Sequence, residues 1–194
     1  MLLSFRATNH PQQCRNRTEA LSSVDDRALP PSDFAQLHRR FHFSIDVAAS
    51  PDNAKLPRYL TPREDGLTTS WDSERVYCNP PFSNIEPWLI KAWTQTCAQL
   101  VVMLLPANRT ELGWWQRWVE PYRDRHGLPL HVEFLPGRLR FLSPGDLKIR
   151  PNSRPPFGCC LLIWRWDEPY SAGLVADILK SMAGSSFPNR LPIG

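Results

Sequence analysis

Residues 100–107 read Leu-Val-Val-Met-Leu-Leu-Pro-Ala, a continuous apolar run. A strand with one wet face alternates polar and apolar side chains, so an unbroken run marks a strand covered on both faces. Such strands belong to sheets with helices packed on either side. The rest of the chain is read around this run.

Residues 1–27 are polar and aperiodic, which predicts a flexible N-terminal arm. In "LPPSDFAQLHRRF", Phe34, Leu37, His38 and Phe41 fall on one face of a helix that Ser32 could cap. "FHFSIDVAAS" predicts a strand with Phe43, Ile45 and Val47 alternating and Asp46 near its end. Residues 50–70 hold Pro51, Pro57, Pro62 and Asp65-Gly66, which fits a long loop. "RVYC" is a short strand stopped at Pro80, which has no N–H for a ladder. A helix follows. Its start is either a Ser83-x-x-Glu86 capping box or a first turn holding Pro87 with Glu86 as cap, and its buried stripe is Leu89, Ala92, Trp93, Thr96, Cys97 and Leu100.

Beyond the central run come a helix around "ELGWWQRWVE", a strand "LHVEFL", a turn at Pro136-Gly137 and a strand near "RLRF". A polar loop, the strand "CCLLIWRW" and a helix near 171–182 complete the order. Strands alternating with helices predict an α/β fold, its sheet mostly parallel with an antiparallel C-terminal hairpin. The expected organisation is one domain over residues 28–183, followed by a tail, 184–194.

A chain of 194 residues can bury a substantial core. Its 20 prolines are roughly twice the usual ~5%, so connections are stiff. The net charge of +4 permits nucleic acid as a partner without demanding it. Cys14, Cys78, Cys97, Cys159 and Cys160 form no CxxC pair, which argues against a zinc site. Four of them read as reduced core thiols, which suits the cytoplasm. "MLLSFRATNH" is too short for a secretory leader before Arg6 interrupts it, and no apolar run nears the ~18 residues of a membrane span. A monomer is expected.

Ligands in such sheets sit at the carboxyl ends of the strands, where Asp46, Asn79 and Pro106 all fall. The segment Asn79-Pro80-Pro81-Phe82 has a specific chemical use there. An amino group conjugated to an aromatic ring, as in adenine, is a poor nucleophile because its lone pair is delocalised. The Asn79 amide oxygen and the Pro80 carbonyl can each accept one N–H, and two acceptors off the ring plane favour a pyramidal nitrogen. The prolines hold that carbonyl away from a strand partner. Phe82 offers a face on which an extruded base could stack, worth roughly 1–3 kcal/mol, against the few kcal/mol that flipping a base costs. The matching methyl donor would be S-adenosylmethionine, whose sulfonium needs no metal. The plainer alternative is a strand-to-helix turn with Phe82 packed in the core.

The ordered series "FSIDVAASPDNAK", "DGLTTSW", "YCNPPFSNIEPWLIKAW", "VVMLLPANRTELGWW" and "VEFLPGRLRF" resembles the phage-type, Dam-like DNA N-6-adenine methyltransferase family over about residues 29–166. The resemblance implies a class I (Rossmann-like) methyltransferase fold, S-adenosylmethionine as cofactor, and adenine in double-stranded DNA as substrate. It places the catalytic motif on Asn79, Pro80, Pro81 and Phe82. The chain departs from the family in having Leu29-Pro30-Pro31 before the first helix, where members usually carry Thr-Pro, and Phe rather than the commoner Tyr at 82.

Gly66 is the only glycine before Asn79, so a glycine-rich cofactor loop is impossible there. The nearest substitute is "IDVAAS". Asp46 would accept hydrogen bonds from the cofactor beside the small Ala48, unless it is merely a cap or turn acid. Asp65, fourteen residues before Asn79, is the second acidic candidate, although Asp-Gly is also simply a turn. For DNA, residues 136–154 carry Arg138, Arg140, Lys148, Arg150 and Arg154 against Asp146, and Arg109 follows the central strand. These could meet phosphates or form a solvated surface. The same motif would also serve methylation of an RNA base or a glutamine amide. A non-catalytic DNA-binding protein with a degenerate cofactor site is the competing class.

Overall fold

The computed structural model describes residues 28–142 and 157–184. The N-terminal arm, the segment carrying Lys148, Arg150 and Arg154, and residues 185–194 lie outside the described residues. The elements are α1 (Pro31–Phe41), β1 (Ile45–Asp46), β2 (Arg75–Cys78), α2 (Glu86–Thr94), β3 (Leu100–Pro106), α3 (Gly113–Trp118), β4 (Leu130–Phe134), β5 (Cys159–Arg165) and α4 (Ala172–Gly184).

The sheet order is β1-β2-β3-β5-β4. β1, β2 and β3 are parallel, and β5 runs antiparallel to both its neighbours. Four strands therefore share one direction and β5 alone is reversed. This is the mostly parallel α/β sheet of the Rossmann-like class, with the antiparallel pair at its C-terminal side.

The apolar run behaves as its composition requires. Every residue of β3 is buried. Val101, Met103 and Leu105 pack with α2, α3 and α4 on one face. Leu100, Val102 and Leu104 pack with α1 and Phe141 on the other. Trp93 anchors the first layer: it is fully buried, donates from Nε1 to the Trp118 carbonyl at 3.0 Å, and meets Trp164 edge-on at 5.9 Å. Truncating a side chain so placed costs about 3–5 kcal/mol. Among the described residues, no helix is long and apolar enough to cross a membrane.

Several local expectations are corrected. Ser32 does not cap α1. The helix begins at Pro31 with Pro30 at the N-cap position and no side-chain cap, because proline already holds a helical φ at the first turn. Ser83 does not cap α2 either. Glu86 is its first helical residue and Pro87 shares the first turn. The Glu86 carboxylate instead accepts from Trp118 Nε1 at 2.7 Å and Arg117 at 3.0 Å, tying α2 to α3.

The first strand is shorter than its alternation suggests. His42 ends α1 in a left-handed conformation, φ 52°. That turn sends Phe43 into the α1 face, whereas Ile45 and Val47 enter the opposite one. α2 stops at Thr94, so Leu100 belongs to β3 and Cys97 is exposed, not a core thiol. Cys78, Cys159 and Cys160 are buried as expected. "RLRF" forms no strand; only Leu142 bridges, to Ala28.

Candidate active site

Asp46 ends β1, Asn79 follows β2 and Pro106 ends β3, so the parallel strands bring all three to one edge of the sheet. The Val47 N–H bonds to the Tyr77 carbonyl at 3.0 Å, holding the exits of β1 and β2 side by side. Residues 58–60 run along the free edge of β1: the Asp46 N–H donates to the Arg58 carbonyl at 3.1 Å, and the Asp46 carbonyl accepts the Leu60 N–H at 2.8 Å.

Asp46 is 2% exposed. Its carboxylate accepts the Lys55 backbone N–H at 3.1 Å and, more weakly, that of Ala48 at 3.4 Å. Burial dominates over these bonds and pushes its pKa up to about 6. The half-buried Lys55 ammonium is drawn down by burial and partly restored by the Asp46 charge. A buried carboxylate with two modest main-chain donors retains capacity to accept from a ligand.

Gly66, the only glycine before Asn79, is required here by packing. It lies so close to the exit of β1 that an added Cβ would stand 2.1 Å from the Val47 carbonyl oxygen. Its own carbonyl accepts Trp71 Nε1 at 3.0 Å, and Trp71 is fully buried. The loop bearing Asp65 is thereby pressed against the strand end. Asp65 itself has φ 54°, and its Oδ1 accepts the Leu67 N–H at 3.0 Å. It is a turn residue as well as a neighbour of the site.

In the Asn79–Phe82 segment, the Asn79 side-chain oxygen is shielded from solvent. The Pro81 carbonyl accepts the Asn84 N–H at 3.1 Å, closing the turn. The Pro80 carbonyl takes no main-chain hydrogen bond among the described residues. Phe82 is half-buried, and its ring meets Phe141 at 6.2 Å and Phe157 at 6.4 Å, both edge-to-face. Those two aromatics fix the ring, and neither was foreseen as part of the site. Phe141 closes the "GRLRF" motif, which was the available signal; for Phe157 there was none.

Arg109 leaves the exit of β3, and Arg138 and Arg140 follow β4 on the same edge. Together with Arg63 in the Gly66 loop, they make no ion pair among the described residues. By contrast Arg58, Arg75, Arg123 and Arg165, toward the amino ends of the parallel strands, each hold a carboxylate. Arg39 in the last turn of α1 and Arg125 before β4 likewise make no ion pair among the described residues, so the absence of carboxylate partners is not confined to the ligand edge.

The family model for DNA N-6-adenine-methyltransferase (Dam) matches residues 17–179. The chain belongs to that family. A relative described as a DNA N-6-adenine-methyltransferase, from Haemophilus phage HP1 (strain HP1c1), is 32% identical over 74 residues, 37% of this chain. The chain spans 43% of that relative's length. A solved structure from Pyrococcus horikoshii, of a candidate RNA methyltransferase, superposes with a TM-score of 0.46 at 13% identity, covering 77% of this chain and 90% of that one.

Proposed function

We propose that this chain transfers a methyl group from S-adenosylmethionine to the N6 amino group of adenine in DNA, in a phage or prophage setting. The observation that carries the reading is the Asn79–Phe82 segment at the exit of β2, beside buried Asp46, in a member of this family. The cofactor, when bound, supplies an activated methyl group on a sulfonium. Its fit is supported by the buried acceptor Asp46. Asp46 would accept from its ammonium or ribose hydroxyls, with the small Ala48 leaving room beside it.

The roles of the protein groups follow from their chemistry. Asn79 and the Pro80 carbonyl accept the two N–H bonds of the adenine amino group and hold its nitrogen off the ring plane. Phe82, held by Phe141 and Phe157, stacks on the extruded base. Arg63, Arg109, Arg138 and Arg140 meet phosphates of the duplex, joined by Lys148 and Arg150 from the segment outside the described residues. Phosphate contacts set register and affinity and carry no sequence information of their own.

The test is direct. Protein, labelled S-adenosylmethionine and unmethylated DNA are incubated, and the DNA is digested to nucleosides. Label in N6-methyl-2′-deoxyadenosine supports the proposal; its absence on all DNA tried, from protein that binds the cofactor, sinks it.

A further inference from the structure

Tyr77 is 1% exposed, and its hydroxyl has no hydrogen-bond partner among the described residues. Buried polar groups in native proteins are nearly always paired, so an orphan calls for an explanation such as a ligand or a water. Its position narrows the choice. Tyr77 is the register partner of Asp46 on the adjacent parallel strand. Ile45, Val47, Val76 and Cys78 all enter the three-helix face. Tyr77 projects from the opposite face, and strand alternation sends Asp46 to the same side. The two side chains thus leave neighbouring strands together, Asp46 from the last residue of β1 and Tyr77 from the last but one of β2.

The ring is fixed by Phe34, edge-on at 5.0 Å, and by Phe43 at 5.3 Å. Burial and the nearby Asp46 charge hold the phenol well above its ordinary pKa, so it stays protonated and can donate. Asp46, once ionised, can only accept. A ligand satisfying both needs a donor and an acceptor side by side. An α-amino acid group presents them on one carbon, as ammonium and carboxylate. We propose that the Tyr77 hydroxyl donates a hydrogen bond to the carboxylate at the amino-acid end of S-adenosylmethionine, while Asp46 accepts from the adjoining ammonium. This rests on the cofactor reading above and adds a residue to it. A competing partner is a buried water shared with His38, whose Nδ1 is also unpaired and whose ring stacks on Phe34 at 5.7 Å.

The experiment compares the native chain with Tyr77→Phe by calorimetric titration of two ligands, alongside thermal unfolding without ligand. S-adenosylhomocysteine keeps the amino-acid end; 5′-methylthioadenosine lacks it. The expected result is that Tyr77→Phe binds S-adenosylhomocysteine about tenfold more weakly. It should bind 5′-methylthioadenosine as the native chain does and unfold at the same temperature or higher, since an unpaired hydroxyl has been removed. Unchanged affinity for S-adenosylhomocysteine, equal loss for both ligands, or a markedly lower unfolding temperature would overturn the assignment. Failure of the native chain to bind S-adenosylhomocysteine would instead overturn the cofactor reading itself, and this inference with it.

Discussion

Gly66 packs against Val47 so tightly that no side chain fits between them: a Cβ would stand 2.1 Å from the Val47 carbonyl oxygen and 3.0 Å from the Trp88 ring. The Val47 oxygen belongs to main chain already tied to β2, so it cannot retreat cheaply. Gly66→Ala is therefore expected to lower stability by about 1–3 kcal/mol or more, as overpacked sites do, and to weaken cofactor binding because the displaced loop borders Asp46. Denaturant unfolding with and without S-adenosylmethionine measures both effects. A Gly66→Ala chain as stable as the native one would refute the packing argument.

Asp46 links the site to pH. Its folded pKa, about 6, lies above the unfolded value near 3.9 because burial disfavours the charged form. Over that interval the folded chain holds a proton the unfolded chain has released, so stability falls as pH rises from about 4 to about 6 and then levels. The whole change amounts to about 3 kcal/mol at most. Asp46→Asn removes this dependence. The stability difference between mutant and native chain should therefore move in the mutant's favour by about 2–3 kcal/mol between pH 4 and pH 7, while cofactor binding is lost. Denaturant melts across that range supply the comparison, and a difference that stays flat with pH would contradict it.

The legibility of the chain follows the range of the interactions involved. The unbroken run at β3 announced a strand covered on both faces, since that pattern depends only on what each side chain would meet. Asp46 and Asn79 could be placed together because strand ends in a parallel sheet share an edge. Ser32 and Ser83 misled because capping is decided within one turn, and the neighbouring prolines settled the helix starts instead. Cys97 looked buried only while α2 was extended past Thr94. Tyr77, Phe141 and Phe157 matter through contacts made across the fold, and those have no local signature.

Asn79→Ala separates chemistry from binding. The side-chain oxygen is shielded and stands at the exit of β2. Removing it takes away one of the two acceptors proposed for the amino group and leaves Asp46 and Gly66 in place. Losing one preorganised group of this kind slows a reaction by roughly 10²–10³-fold. The expected outcome is methyl transfer reduced at least that far with cofactor affinity within a few-fold of native. Single-turnover transfer and calorimetric titration read the two quantities separately. Comparable transfer rates in mutant and native chains would remove Asn79 from the mechanism.

The arginines Arg109 and Arg138 make the DNA surface testable without knowledge of a target sequence. If Arg109 and Arg138 each neutralise one phosphate, replacing either by Ala removes one released counterion. The slope of log K against log salt should then become shallower by about 0.9 per residue on duplex DNA. Arg165 offers the control. It is held by Glu168 at 3.1 Å, toward the amino ends of the parallel strands, so Arg165→Ala should leave the slope unchanged. Fluorescence anisotropy with a labelled duplex at several salt concentrations measures all three. Equal slopes for the native chain and the Arg109 and Arg138 variants would move the DNA to another face. A change confined to Arg165→Ala would place it at the opposite end of the sheet.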